Sequence, residues 1–284
     1  MTKTKKFTPK KRVTNKFDSR RSFQKKKSPS GPSHKSSAPQ IKNKPERIAK
    51  VLAHAGLCSR RQAEQWILEG RVSVDGEVLK TPACVVSPIN KITVNNRPFM
   101  WKSKQAKLWL YHKPTGYVVS NNDPQGRPTI FDILPKSLPR VVSVGRLDLN
   151  SEGLLLLTND GGLARYLELP KNGFTRHYRV RVYGTVTEEI IERLGRGLHI
   201  DGVRYAPAIV EIDKVTGRNA WLFIKLTEGK NREIRKMMEH FGLAVNRLSR
   251  IGYGPFELRD LGAAKAKEIS EDQLHKLLPG YFGE

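Results

Sequence analysis

The sequence predicts an α+β protein in which a small basic module precedes a larger unit of mixed strands and helices. Two observations carry that prediction. Two short helical stripes and a hairpin signal crowd into residues 46–79, and beyond residue 105 strand-like and helical runs follow one another without the strict alternation of a doubly wound parallel sheet. A third observation sets the start of the fold. Met1 to Pro45 is Lys, Ser, Pro and Asn with scattered apolar residues, too few to offset the cost of ordering the backbone, which predicts a disordered basic tail over 1–45. The 284-residue chain then divides into units 46–104 and 105–284, since roughly 100–200 residues per domain allows one large unit plus a small module.

In the first unit Ile48, Val51, Leu52 and Ala55 recur at i, i+3, i+4 and i+7, one stripe of a helix that Gly56 can close in the left-handed conformation. Ser59 followed by Gln62 is a capping-box pattern. It opens a second helix with Ala63, Trp66 and Ile67 inward and Gly70 at its end. Asp75-Gly76 between Val72-Ser-Val74 and Glu77-Val-Leu79 is a strong hairpin signal.

In the second unit Leu108–His112 reads as a strand, followed by a Lys113-Pro-Thr-Gly116 turn and the polar loop 121–128. Val141–Val144 is a further strand. Leu154–Leu157 is a continuous apolar run suited to a strand buried on both faces. Tyr178–Tyr183 alternates Tyr and Val with Arg, and Trp221–Leu226 adds another strand. Asn231–Phe241 is helical, with Ile234, Met237, Met238 and Phe241 on one face and Arg232, Arg235 and Lys236 on the other. Ser270 and Gln273 cap a last helix carrying Leu274, Leu277 and Leu278.

The charge balance points to a polyanionic partner. The net charge is +25; residues 1–45 contribute +14 and the remainder +11, so both parts are basic independently. Basic surfaces favour nucleic acid because each phosphate neutralised releases condensed counterions. The absence of a long basic amphipathic stretch argues against a lipid surface. No apolar run approaches the ~18–20 residues needed to cross a bilayer, and Met1 onward lacks the apolar core of a secretory signal, which predicts a cytoplasmic protein with no membrane partner. Cys58 and Cys84 are too few for a disulfide framework. His54 and Cys58 are separated by the helix-ending Gly56, so no metal site is expected.

Asp148 is the carboxylate best placed for chemistry. It lies in Gly145-Arg-Leu-Asp-Leu-Asn-Ser-Glu-Gly153, a loop between two apolar strands, with Arg146 two residues earlier. A neighbouring arginine favours the charged form of a carboxylate. Asp is also common in turns for its backbone hydrogen bonds, and that reading stands beside the catalytic one.

Two resemblances extend this reading. Arg47 to Gly56, Cys58-Ser-Arg-Arg61 and Glu69-Gly-Arg-Val-Ser-Val-Asp-Gly76 resemble an S4 RNA-binding domain, which implies that Arg60, Arg61 and Arg71 grip structured RNA. Gly145-Arg-Leu-Asp148 with Ser151-Glu-Gly-Leu-Leu-Leu-Leu-Thr-Asn-Asp-Gly161 resembles the catalytic motif of one group of ribosomal pseudouridine synthases, comprising type A for the small ribosomal subunit, with types B, E and F for the large one. Tyr111 to Gly116, Asn122 to Thr129, Arg176 to Val180 and Glu228 to Met237 match in the same order, and the 122–129 loop looks most like type B. Ser151 stands where many relatives have Thr, which keeps the hydroxyl.

The resemblance implies a catalytic domain on a mixed, largely antiparallel sheet with flanking helices. It implies Asp148 as the essential carboxylate, Arg146 paired with it and Tyr178 against the target ring. Arg232 and Arg235 would hold substrate phosphate or orient the site, and Lys230 and Lys113 would bind substrate. The implied partner is ribosomal RNA or a ribosomal precursor particle, met by a monomer that needs no cofactor. Two alternatives are a non-catalytic S4-type ribosome-assembly factor and the same enzyme acting on small-subunit or transfer RNA.

Overall fold

Residues 45–100 and 105–283 are described by the computed structural model, so nearly all of the basic tail expected over 1–45 lies outside the described residues. The first described elements are β1 (Glu46–Arg47), α1 (Ile48–His54) and α2 (Arg60–Leu68). Ile48, Val51 and Leu52 are buried as the stripe predicts, and Gly56 adopts φ +80° behind them. Ser59 Oγ accepts the Gln62 N–H, which satisfies one orphan donor at the start of α2. Asp75 and Gly76 both take positive φ between β2 (Val72–Val74) and β3 (Glu77–Val78), as a two-residue hairpin turn requires.

The hairpin is only half of its sheet. β4 (Val85–Val86) pairs with β1, while β5 (Ile92–Val94) and β6 (Arg97–Phe99) extend the hairpin to a four-stranded antiparallel sheet of order β3-β2-β5-β6. The module of two helices and a hairpin expected from the sequence is therefore too small. The second turn, Asn95-Asn96, has φ of +52° and +61°, close to Asp75 in conformation.

The larger unit comprises β7 (Leu108–Lys113), α3 (Ile130–Ile133), β8 (Val142–Val144), β9 (Glu152–Thr158), α4 (Gly161–Glu168), β10 (Arg176–Tyr183) and α5 (Glu188–Arg196). It continues through β11 (Leu198–Ile200), β12 (Val203–Tyr205), β13 (Ile209–Thr216), β14 (Asn219–Leu226), α6 (Glu233–His240) and β15 (Ala244–Tyr253). It ends in β16 (Phe256–Glu257), β17 (Ala266–Glu268), α7 (Glu271–Leu277) and α8 (Pro279–Phe282). The main sheet runs β13-β14-β10-β15-β9-β7-β17, with β8 on β9 and β16 on β15. Among the described residues β15–β9 is the only parallel strand pair of this sheet, which is mixed and largely antiparallel as expected.

β9 forms the spine. Leu155 and Leu157 belong to the core packed on α6 side chains Ile234, Met237 and Met238, whereas Leu154 and Leu156 belong to a second core with Leu163 and Leu167 of α4 and Leu274 of α7. Strand alternation sends successive leucines to opposite faces, which is why the run is apolar without interruption. In α7 only Leu274 is buried within the helix, and Leu277 is 38% exposed. Gly153, at the start of β9, has φ +105°, and a Cβ there would lie 2.3 Å from the Arg250 carbonyl. Glycine alone lets β9 lie this close to β15, and this contact closes one wall of the site.

Candidate active site

Asp148 sits in the loop between β8 and β9, and the carbonyls around it are fastened one by one. Lys113, at the end of β7, is fully buried, and its ammonium donates to the carbonyls of Pro114 (2.9 Å), Ser151 (2.8 Å) and Leu149 (3.5 Å). Arg235 of α6 donates from Nη2 to the Asn150 carbonyl (2.9 Å) and from Nη1 to that of Val245 (3.1 Å). The Gly116 N–H donates to the Leu149 carbonyl, and at the other end the Gly145 N–H is accepted by Glu168 (2.7 Å). A loop with its backbone polar groups tied to three separate elements is a rigid mount for a side chain. Burial pushes the Lys113 ammonium down to about 8, against the pull of Asp148 and Glu152.

The Asp148 side chain is one-third exposed and opens into a cleft of about 250 Å³. Tyr178 of β10, only 9% exposed, lines the same cleft together with Arg146, Lys230 and Arg232. Arg232 precedes α6 at φ +50° and puts Nη1 4.0 Å from Asp148 Oδ2. Its turn is closed from within: Glu233, 3% exposed, accepts the Lys230 N–H at 2.9 Å.

The deep wall is built on Tyr253. Arg176 Nη2 donates to the Tyr253 hydroxyl, which donates on to the Leu167 carbonyl, and Arg176 Nη1 holds the carbonyls of Phe174 and Thr227. The guanidinium carbons of Arg176 and Arg250 lie 5.0 and 5.2 Å from the Tyr253 ring centre. Arg250, 3% exposed, gives Nε to the Leu154 carbonyl, and both arginines line the cleft. A carboxylate, an aromatic ring and several fixed cations thus converge on one open space, a combination that suits an anionic ligand and acid–base or nucleophilic chemistry.

Comparison with known proteins decides the chemistry class. Residues 107–240 match the family model of RNA pseudouridylate synthases and residues 46–88 the S4 domain model. An uncharacterized RNA pseudouridine synthase of Rickettsia felis is 47% identical over 231 residues, covering 81% of this chain and all of that one. The chain belongs to the RNA pseudouridine synthase family. Ribosomal large subunit pseudouridine synthase B of Yersinia pestis is 42% identical across 75% of this chain and 69% of its own length, and that of Pseudomonas aeruginosa 41% identical across 81% and 61%. A solved structure, the crystal structure of a pseudouridylate synthase, superposes with a TM-score of 0.57 at 26% identity over 81% of this chain and 99% of that one.

For a pseudouridine synthase of this kind the sequence expectations sort into three groups. Asp148, Arg146, Tyr178, Lys230 and Arg232 are brought together in the cleft. The ion pair to Asp148, however, comes from Arg232; Arg146 lines the same cleft but is exposed and makes no such pair among the described residues. Nor is Asp148 buried; a third of it is open to the cleft. Lys113 is a correction of another sort: it is spent on loop carbonyls and has no exposed surface with which to meet substrate. Arg235 also holds loop carbonyls, which is the orienting one of its two expected roles.

In the S4 module Arg60 and Arg61 are exposed on the first turn of α2. Arg71 is more committed: it pairs with Glu69 at 3.0 Å, donates to Asn95 at 2.8 Å and lies over the Trp66 ring. Sequence reasoning assigned no role to Arg176 or Arg250. Arg176 could have been found, since it stands two residues before Tyr178 on an alternating strand and so shares its face. Arg250 carries no local signal, lying in a strand whose contact with β9 is set only by the fold.

Proposed function

We propose that this pseudouridine synthase isomerises a uridine of large-subunit ribosomal RNA, with Asp148 as the reacting carboxylate. The observation that carries this reading is the convergence of Asp148, Tyr178 and Arg232 in one cleft, in a chain 41–42% identical to proteins named ribosomal large subunit pseudouridine synthase B. The reaction breaks the bond between N1 and C1′, turns the base and joins C5 to C1′, while the C5 proton leaves. A carboxylate within reach of the sugar and ring serves such a sequence as nucleophile or base. Tyr178 packs against the ring and assists the proton transfer from C5. Arg232 holds Asp148 and, with Lys230 and Arg146, faces the phosphates at the mouth of the cleft.

A base in a helix cannot reach a side chain recessed in a cleft, so the target nucleotide leaves its stack at a cost of a few kcal/mol. Binding at a distance offsets that cost. In this division the unit 46–104 grips RNA through Arg60 and Arg61, and the unit 105–284 performs the chemistry. The substrate is an unpaired segment of ribosomal RNA, free or within a precursor particle.

Release of tritium from C5-labelled uridine in transcripts of both ribosomal RNAs tests the reading. Wild-type protein is expected to release label from the large-subunit transcript, and Asp148→Asn to release none while its RNA affinity falls less than tenfold, under about 1.4 kcal/mol. Activity surviving in that variant removes Asp148 from its role. Label released only from small-subunit or transfer RNA keeps the chemistry and reassigns the substrate.

A further inference from the structure

The main sheet has a second surface that the cleft does not use. On β10 the side chains of Tyr178, Val180 and Val182 enter the core beside the cleft, so His177, Arg179, Arg181 and Tyr183 point to the opposite face. Strand pairing sets them in rows. Arg181 is level with Trp221 of β14 and Arg247 of β15, and Trp221 with Lys214 of β13; Arg179 is level with Phe223 and Ser249, and His177 with Lys225. The Arg179 guanidinium stands 4.5 Å from the Trp221 ring centre and 6.0 Å from that of Phe223. Phe223 is 37% exposed, and a groove of about 260 Å³ runs beside Trp221, Arg179 and Arg247.

The charges on this face are unequal. Asp213 pairs with Arg179 at 2.8 Å and Glu152 with Arg247 at 2.6 Å, and Glu211 lies in the Phe223 row. Arg181, Lys214 and Lys225 are exposed and have no carboxylate within ion-pair distance among the described residues. Aromatic rings interleaved with unpaired cations on an open sheet suit unpaired nucleotides: every base has a face to stack, and every phosphate a charge to neutralise. A second copy of the chain fits less well. The exposed Ile209, Ile212 and Val215 mark the edge strand β13, but a bulge between Ile212 and Lys214 and the charges of Glu211, Asp213 and Lys214 interrupt the ladder that strand addition would need.

We propose that this outer face is a second RNA contact, on which unpaired nucleotides stack against Trp221 and Phe223 with their phosphates on Arg181, Lys214 and Lys225. It rests on the family's RNA chemistry and is independent of which ribosomal RNA is the substrate. Ultraviolet crosslinking of the full chain to a large-subunit rRNA transcript, mapped by mass spectrometry, is expected to place nucleotides on Trp221 or Phe223. The Arg181→Glu, Lys225→Glu double variant is expected to bind the transcript about tenfold more weakly, with a shallower dependence of log affinity on log salt and unchanged tritium release at saturating RNA. Crosslinks confined to the cleft and the S4 module, with affinity of the double variant within twofold of wild type, overturn the proposal. So does a concentration-dependent dimer, seen by sedimentation, that the double variant abolishes: the face then belongs to a second copy.

Discussion

Arg232 Nη1 stands 4.0 Å from Asp148 Oδ2, and it reaches there from a residue held at φ +50°. A side chain in the left-handed region costs about 1–2 kcal/mol relative to glycine, a strain that persists where the surroundings fix the turn. Here they do so through the Lys230 N–H bound to Glu233 and the Lys236 N–H bound to the Arg232 carbonyl. Arg232→Gly separates backbone from charge. It is expected to keep or slightly raise the stability in urea while tritium release falls about a hundredfold, near 2.7 kcal/mol of transition-state stabilisation. A stable glycine variant turning over at the wild-type rate would remove Arg232 from the reaction.

Lys113 needs all three of its protons, one for each carbonyl that it holds. Its folded value of about 8 lies below the ordinary 10.5, so as pH rises through 8 the folded protein loses a proton that the unfolded chain keeps until 10.5. Global stability is therefore expected to gain from this group between pH 8 and 10.5, while the loop loses one donor. The expected result is a turnover number that declines above pH about 8. Lys113→Met should show at least a tenfold lower turnover number with little change in KM, flat over the same range. A KM effect alone would instead return Lys113 to substrate binding.

Arg235 separates the same loop from the opposite side. Arg235→Ala leaves the Asn150 and Val245 carbonyls without their guanidinium, and a loop carbonyl that gains water moves Asp148 with it. The expected signature is a turnover number reduced about tenfold or more at unchanged RNA affinity, measured by single-turnover kinetics and filter binding. Weakened RNA binding at an unchanged single-turnover rate would mean that Arg235 faces phosphate after all.

What the sequence disclosed followed physical locality. The β9 leucines, the α1 stripe, the Ser59 cap and the Asp75-Gly76 turn are each decided within a few residues, and each is present. The Asn95-Asn96 turn is equally local, and weighing Asn-Asn as a positive-φ pair would have revealed β5 and β6. The site divides in the same way. Asp148 was legible because its loop is bounded by two local strands, whereas its ion-pair partner was not, since Arg232 is brought near only by the docking of α6. Lys113 reads as a surface residue at the end of a strand; only the folded loop supplies the three carbonyls that bury it.

The carboxyl beneath the Arg232 turn yields the sharpest stability test. Glu233 is 3% exposed, touches the Glu228 carboxyl and has one oxygen that finds no hydrogen-bond donor. Burial pushes it up to about 7, against the Lys230 N–H that it accepts, and Glu228 adds to the rise. Below pH 4.5 folded and unfolded chains both hold this proton. Between 4.5 and 7 only the folded chain does, so stability falls as pH rises and levels off above 7. Glu233→Gln retains an acceptor for the Lys230 N–H and cannot ionise. Urea unfolding is expected to find the variant's stability closest to that of wild type near pH 4 and its advantage over wild type larger at pH 8.5. The Lys113 contribution is common to both proteins and cancels in the difference. A difference that does not change between the two pH values would show that Glu233 carries its charge at no cost.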